Sequence, residues 1–177
     1  MPKLSAGILL FRINDGRLEV FLVHPGGPFW KNKDVGAWSI PKGEYEPGED
    51  PQSAAQREFE EETGHALPRG ELVPLSEIKQ PSGKIVSAWA IQGNCSVDIQ
   101  SNTFSLEWPP KSGKTKEFPE VDRAGWFEIA VARAKLLPGQ HGFLDQLTTI
   151  LGYSENEPSA ESAQADSPKQ HSISRAH

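Results

Sequence analysis

The feature that most constrains this 177-residue chain is an acidic segment between Glu44 and Glu62. It contains eight acidic residues and a single basic one, Arg57. A solvated helix normally interleaves lysines at i,i+4 to relieve such repulsion. This segment does not, so we expect another cation to neutralise it, and a divalent metal ion is the natural candidate.

Local signals place a helix over residues 51–63 of this segment. Asp50 is a favourable N-cap, and Pro51 suits the first helical position. Gly64 suits the left-handed residue that follows the last turn. The sequence therefore predicts a short helix with well-defined ends.

Three glutamates share one face of the predicted helix. At about 100° per residue, Glu58 and Glu62 lie nearly in one column, and Glu61 lies about 60° to the side. Ala55 and Phe59 form a neighbouring column that can dock on a sheet. Because hard cations such as Mg²⁺ take oxygen ligands and share them with substrate phosphates, the three carboxylates indicate a metal site.

The segment also matches a known pattern, G-x5-E-x7-R-E-U-x-E-E-x-G-U, in which U is a bulky apolar residue. Its fixed positions are Gly43, Glu49, Arg57-Glu58, Glu61-Glu62 and Gly64. The chain therefore resembles the Nudix hydrolases. Within that family it is similar to the diadenosine polyphosphate hydrolases and the small NTP pyrophosphohydrolases. The last U position is His65, which departs from the pattern and should affect local packing more than chemistry.

The resemblance implies hydrolysis of a phosphoanhydride bond in a nucleoside diphosphate linked to another group. Mg²⁺ is the implied cofactor, with Mn²⁺ as an alternative. The implied metal ligands are Glu58, Glu61 and Glu62, and either Glu58 or Glu61 would also be the base that activates water. Arg57 and Glu49 would orient the site, and a backbone carbonyl near Gly43 would complete the metal shell.

Candidates for further contacts lie outside the motif. Glu120 stands six residues before Trp126, a spacing similar to that in the diadenosine tetraphosphate hydrolase branch, and is our candidate for a further ligand or base; Glu117 is its weaker rival. Substrate phosphates are expected to meet Lys42, Gly43 and Lys84. Of the five tryptophans, those in loops are candidates for stacking on a base, namely Trp30 and Trp108.

The overall composition and charge limit the classes of partner that the protein is expected to bind. A net charge of −6 argues against non-specific binding to nucleic acid or a membrane surface, which favours a basic field. A small nucleotide remains compatible, since a metal ion would carry the local positive charge. The lone Cys95 excludes an internal disulfide, and its surroundings contain no histidine to form a nucleophile pair. With no apolar run of membrane-spanning length and no signal-peptide segment, we expect a cytoplasmic protein.

The pattern along the chain predicts an α/β fold, and the resemblance implies the Nudix α/β/α sandwich with a mixed sheet between helices. We expect one domain over residues 1–153 and a disordered tail over 154–177, where serine, proline and charge replace apolar periodicity. Residues 94–119 are expected to be irregular. The predicted strands are 3–12, 18–24, 71–79, 84–92 and 122–128, and the later helices are 131–137 and 141–151.

Three alternatives remain open on the sequence alone. The substrate could be a (d)NTP or ADP-ribose instead of a dinucleotide. A protein of another class, a non-catalytic nucleotide-sensing module, would keep the fold but should have lost Glu58, Glu61 or Glu62, and all three are present. An acidic docking face in a structural protein is the least favoured reading. Oligomeric state is left open.

Overall fold

The computed structural model describes residues 2–155. Its strands are β1 (Leu4–Asn14), β2 (Arg17–Pro25), β3 (Lys42–Glu44), β4 (Val73–Pro74), β5 (Ile78–Lys79), β6 (Ile85–Gln92), β7 (Thr103–Glu107), β8 (Thr115–Pro119) and β9 (Val121–Glu128). Its central strand is β1, whose residues 6–11 are all buried. β1 pairs with β2 in antiparallel fashion through a turn at Asp15 and Gly16, which both have positive φ. It pairs with β6 in parallel along its other edge. This explains why the first apolar run lacks the alternation of an exposed strand.

Within residues 2–155 the sheet has seven strands, in the order β4-β6-β1-β2-β9, with β3 added to β1 and β5 added to β6. The only parallel pair among these strands is β1 with β6, so the sheet is mixed. A separate two-stranded hairpin, β7–β8, stands outside it.

Helices cover both faces of the sheet, as predicted for an α/β/α sandwich. Helix α1 (Pro51–Thr63) packs on one face, where Phe59 contacts Phe21 with ring centroids 6.1 Å apart. Helices α2 (Ile129–Lys135) and α3 (His141–Leu151) cover the other face, with a 3₁₀ turn between them. The sheet is thus buried on both sides, and the core on the α1 face holds α1 against β1.

The start of the acidic motif is fixed to the middle of the sheet. Strand β3 pairs with β1 so that Lys42 lies opposite Gly7 and Gly43 opposite Ala6. Any side chain at Gly7 would collide with Cβ of Lys42 and the carbonyl of Pro41. The absence of a side chain at Gly7 therefore lets β3 approach, and this places the motif loop beside the N-terminal half of β1.

Several predicted elements need correction. Residues 94–119 are not irregular throughout, because 103–107 and 115–119 form the β7–β8 hairpin. The single strand predicted over 71–79 is two short strands, β4 and β5, separated by three residues. Helix α2 begins two residues earlier than predicted, directly after β9. In the first case a seven-residue section rich in Pro and Lys, residues 108–114, separates the two strands and obscured their alternation.

The expected tail, 154–177, lies outside the described residues from 156 onward. None of the helices between residues 2 and 155 combines the length and apolar character that a membrane span requires.

Candidate active site

Helix α1 carries the motif carboxylates, and its ends form as the sequence predicts. The Asp50 side chain accepts a hydrogen bond from the N–H of Ser53 at 3.0 Å, and Gly64 adopts φ 75°. Ala55 and Phe59 are fully buried against the sheet, whereas Glu60 is exposed. Because the apolar column fixes the rotation of α1, the remaining glutamates are directed towards the edge of the motif loop.

Arg57 joins three of the predicted site carboxylates. Its guanidinium donates to Glu49 at 3.0 Å, to Glu58 at 3.0 Å and to Glu61 at 3.3 Å. Glu49 precedes α1 while Glu58 and Glu61 lie on successive turns, so one planar cation spans the loop and the helix. The structure therefore brings together Arg57 and Glu49, the two residues expected to orient the site, with Glu58 and Glu61.

Glu62 faces the beginning of the motif. Its carboxylate accepts a hydrogen bond of 3.1 Å from the backbone N–H of Lys42. Burial raises the pKa of Glu62 to about 8, although the hydrogen bond from Lys42 opposes that shift. So high a pKa means that the charged form of Glu62 is disfavoured where it lies.

Glu58 lies against the backbone of Gly43. Glu58 is buried, and a Cβ atom at Gly43 would overlap its carboxylate. Burial raises the pKa of Glu58, and the charge of Glu61 raises it further, while Arg57 opposes both effects. The glycine therefore makes room for a buried anion at the point where β3 meets α1.

Glu120 joins this group from a distant part of the chain. Its backbone links two segments, since its N–H donates to Asn102 at 2.8 Å and its carbonyl accepts from Gly26 at 2.9 Å. Burial raises the pKa of Glu120, and the charge of Glu61 adds to the shift. The structure thus places Glu120 near the motif carboxylates, whereas Glu117 lies in strand β8 opposite Ser105.

Two lysines flank the carboxylates. Burial lowers the pKa of Lys42, and the nearby charge of Lys84 lowers it further. Lys84 also forms an ion pair of 3.4 Å with Glu44. Both predicted phosphate-binding lysines therefore belong to one neighbourhood, together with Gly43.

A cavity of about 200 Å³ opens beside these groups. Its charged wall is formed by Lys42, Glu62 and Glu120, and Trp30 stands among its apolar residues. Such a mixture of an apolar wall with a few charged groups is typical of a small-molecule site. The lining residues are Val23, Pro25, Trp30, Ala37, Ser39, Lys42, Glu62, Glu120, Val121 and Leu137.

Two positioning residues were missed from the sequence. Gln140 is fully buried; its Oε1 accepts from the N–H of Ile40 at 3.0 Å and its Nε2 donates to Ser39 at 3.0 Å. His24 is fully buried, with Nδ1 2.8 Å from Asp122 and Nε2 2.6 Å from the carbonyl oxygen of Lys33. Gln140 fixes the segment before the motif, and His24 fixes the loop that carries Trp30. No local sequence signal marks either contact.

The remaining tryptophans and Cys95 lie apart from the cavity lining. Trp38 is buried, and Trp89 and Trp126 pack against the core, as their strand-like contexts indicated. Cys95 is half-buried, and burial raises its thiol pKa to about 11. Burial thus disfavours the thiolate, which is the reactive form of cysteine.

The site residues fit a hard divalent cation in their chemistry. Four carboxylates lie near one another, three of them with pKa values raised by burial and by mutual repulsion. Within residues 2–155, however, no three His, Cys, Asp or Glu side chains are grouped closely enough to hold a metal ion as they stand. Hydrogen bonds from Arg57 and from Lys42 N–H hold several of these oxygens instead.

A model of the NUDIX domain matches residues 1–147 of the chain. The chain belongs to the Nudix family. The resemblance drawn from the motif is thereby confirmed, and members of this family generally use divalent metals such as Mg²⁺. Membership of this family supports the assignment of the chain as a hydrolase that acts on phosphoanhydrides.

Three individual proteins are similar to this chain, one over a short stretch of sequence and two in their fold. An RNA pyrophosphohydrolase of Erythrobacter litoralis (strain HTCC2594) is 58% identical over 33 residues, which span 19% of this chain and 20% of that relative. The solved structure of a C. elegans Ap4A hydrolase binary complex aligns with a TM-score of 0.61 at 22% identity, over 84% of this chain and 98% of that one. The NUDIX domain of Shewanella oneidensis NrtR, complexed with ADP ribose, aligns with a TM-score of 0.59 at 18% identity, over 85% of this chain and 89% of that one. Both structures support the Nudix fold.

Proposed function

We propose that this chain is a metal-dependent pyrophosphohydrolase that cleaves a phosphoanhydride bond in a substrate containing a nucleoside diphosphate. The observation that carries the proposal is the gathering of Glu58, Glu61, Glu62 and Glu120 beside Lys42, at a cavity that Trp30 also lines. Carboxylates of raised pKa next to a desolvated lysine suit a ligand that brings both divalent cations and phosphates.

The chain's own residues divide the work. Glu58, Glu61, Glu62 and Glu120 would hold the metal, which when bound neutralises phosphate charge and lowers the pKa of a bound water. Glu58 or Glu61 would accept the proton of the attacking water.

Orientation and binding fall to other residues. Arg57 and Glu49 would orient Glu58 and Glu61 through the hydrogen bonds described above. Lys42 and Lys84 would bind the phosphates, and the small residue Gly43 would let a phosphate approach the backbone.

We take a diadenosine polyphosphate as the first substrate to test. The motif context is similar to that of the diadenosine polyphosphate hydrolases, and an Ap4A hydrolase shares the fold over almost its whole length. The alternative substrates are a (d)NTP, ADP-ribose and the 5′ end of an RNA. The RNA end is included because a short stretch of the chain matches an RNA pyrophosphohydrolase.

The test is a hydrolysis panel of these four substrate classes with Mg²⁺ and with Mn²⁺. Cleavage of diadenosine tetraphosphate to ATP and AMP supports the first choice, whereas pyrophosphate release from a (d)NTP without dinucleotide cleavage rejects it. The Glu61→Gln variant should lose turnover. Glu60→Gln is the matched control, because Glu60 is the neighbouring residue and is exposed to solvent. Binding of nucleotides without turnover in any metal would identify the non-catalytic alternative.

A further inference from the structure

The β7–β8 hairpin has two chemically different faces. In an antiparallel pair, directly opposed residues point to the same side. Phe104 opposes Phe118 and Leu106 opposes Lys116, so these four share one face. The opposite face carries the pairs Ser105 with Glu117 and Glu107 with Thr115, which are polar, and Thr103 with Pro119 at one end. We call the first of these the aromatic face.

The aromatic face packs against the loop that borders the candidate active site. The ring of Phe104 lies close to Gly27, where a Cβ atom would come within 2.9 Å of it. Beyond the end of β7, Trp108 meets Phe29 edge to face, with ring centroids 5.6 Å apart. Phe29 precedes Trp30, which lines the cavity. The hairpin and this loop therefore continue the wall of the cavity outwards.

The hairpin also begins at the catalytic carboxylates. Strand β8 ends at Pro119, next to Glu120, and its other end lies about 13 Å away at a rise of about 3.3 Å per residue. That far end carries Lys114 and Lys116, and the Lys116 ammonium lies 5.5 Å above the Phe118 ring. A substrate whose phosphates are held near Glu120 could thus extend along the hairpin towards positive charge.

Phe29 is the most accessible aromatic residue on this surface. It is 61% exposed even though it contacts Trp108. Exposed aromatic rings beside lysines are the combination that binds unpaired nucleotides, by stacking with bases and by attracting phosphates. The acidic opposite face and the net charge of −6 argue against a long polynucleotide and favour a short ligand.

We propose that Phe29 and Trp108, with Lys114 and Lys116, bind the second nucleoside of a dinucleoside polyphosphate while its reacting phosphates lie at Glu120. This inference rests on the proposed function for the reacting end. It adds a separate contact for the far end, which a mononucleotide cannot make. The hairpin is then a device that distinguishes dinucleotides from mononucleotides.

The test compares two ligands that share a polyphosphate chain and differ in the second nucleoside: diadenosine tetraphosphate and adenosine tetraphosphate. Binding of each to the full chain is measured by calorimetry, with Mg²⁺ and a Glu61→Gln background to prevent turnover. The dinucleotide should bind about tenfold more tightly, since one stacked base is at stake. Phe29→Ala and Trp108→Ala should remove this preference and leave the affinity for adenosine tetraphosphate unchanged.

Controls separate stacking from loss of folding. Trp108→Phe keeps an aromatic ring and should keep most of the preference, and Ser105→Ala on the polar face should keep all of it. Equal affinity for the two ligands, or a preference that survives both alanine substitutions, overturns the inference. So does a gain in affinity that appears only with an RNA oligonucleotide. Absence of hydrolysis in the wild type, with the binding preference intact, instead overturns the proposed function.

Discussion

The backbone N–H of Lys42 donates to the carboxylate of Glu62, 3.1 Å away and twenty residues later in the chain. This contact ties the C-terminal turn of α1 to β3. It also brings a half-buried glutamate and a half-buried lysine side by side, with the pKa of the glutamate raised and that of the lysine lowered, mainly because burial disfavours their charged forms. The pH dependence of stability follows from the shift at Glu62.

The metal-free protein should become less stable as the pH rises. The pKa of Glu62 is about 8 in the folded chain, against an ordinary value of 4.5, so the folded state binds the proton more tightly than the unfolded state. The contribution of Glu62 to the free energy of unfolding is therefore fully present below pH 4.5 and is lost as the pH rises through about 8. Thermal unfolding with EDTA from pH 5 to about 9 measures it. Glu62→Gln should flatten the profile, and Glu60→Gln should not. An unchanged slope in Glu62→Gln would contradict the assignment.

Replacing Arg57 by lysine should impair activity more than stability. Lysine keeps the charge but cannot bridge Glu49, Glu58 and Glu61 with one planar group. The ion pairs of Arg57 with Glu49 and Glu61, whose side chains are about a third or more exposed, contribute little to folding. We expect kcat/KM to fall about 10- to 100-fold, as for groups that orient metal ligands. Steady-state kinetics at saturating Mg²⁺ measures the loss. Arg17→Lys, at an exposed position in β2, is the control, and full activity in Arg57→Lys would rule out the orienting role.

Adding a methyl group at Gly43 should disturb the carboxylate beside it. In Gly43→Ala the new Cβ overlaps the Glu58 carboxylate, which must move. We expect Mg²⁺ affinity to fall and stability to drop by about 1–3 kcal/mol, a typical cost of overpacking. Calorimetric titration and urea unfolding measure the two effects. Gly48→Ala is the matched control, because a Cβ there meets no atom within 4 Å. Equal behaviour of the two variants would be inconsistent with the role given to Gly43.

Gln140→Ala should destabilise the protein although Gln140 lies outside the motif. The substitution leaves the buried N–H of Ile40 without its partner, which costs about 1–3 kcal/mol. Urea unfolding measures the loss. Gln146→Ala is a milder control, since its hydrogen bonds to Ser76 are exposed. A smaller loss in Gln140→Ala than in Gln146→Ala would show that the buried hydrogen bonds contribute little.

The local parts of the site could be predicted from the sequence. Asp50, Pro51 and Gly64 define the ends of α1 because capping depends on neighbouring residues. The column of Ala55 and Phe59 sets its rotation. Since these signals are all within one helix, the face shared by the glutamates follows from 3.6 residues per turn.

Contacts between distant segments could not be predicted in this way. Gln140 reaches Ile40 across one hundred residues, and His24 reaches Asp122 across ninety-eight. Neither pair has a periodicity or spacing that marks it. The sequence did not predict the β7–β8 hairpin, because its two strands contain few apolar residues and a section rich in Pro and Lys separates them. Such pairings are decided by tertiary packing rather than by local preference.

The hydrogen bond between Gln140 and Ile40 has a consequence for folding during synthesis of the protein. The segment that leads into β3 stays without its buried partner until almost the entire domain has left the ribosome. A nascent chain that has finished the acidic helix but not the C-terminal helices therefore carries every motif glutamate without a completed pocket. Completion of the cavity, which Leu137 also lines, therefore comes late in synthesis.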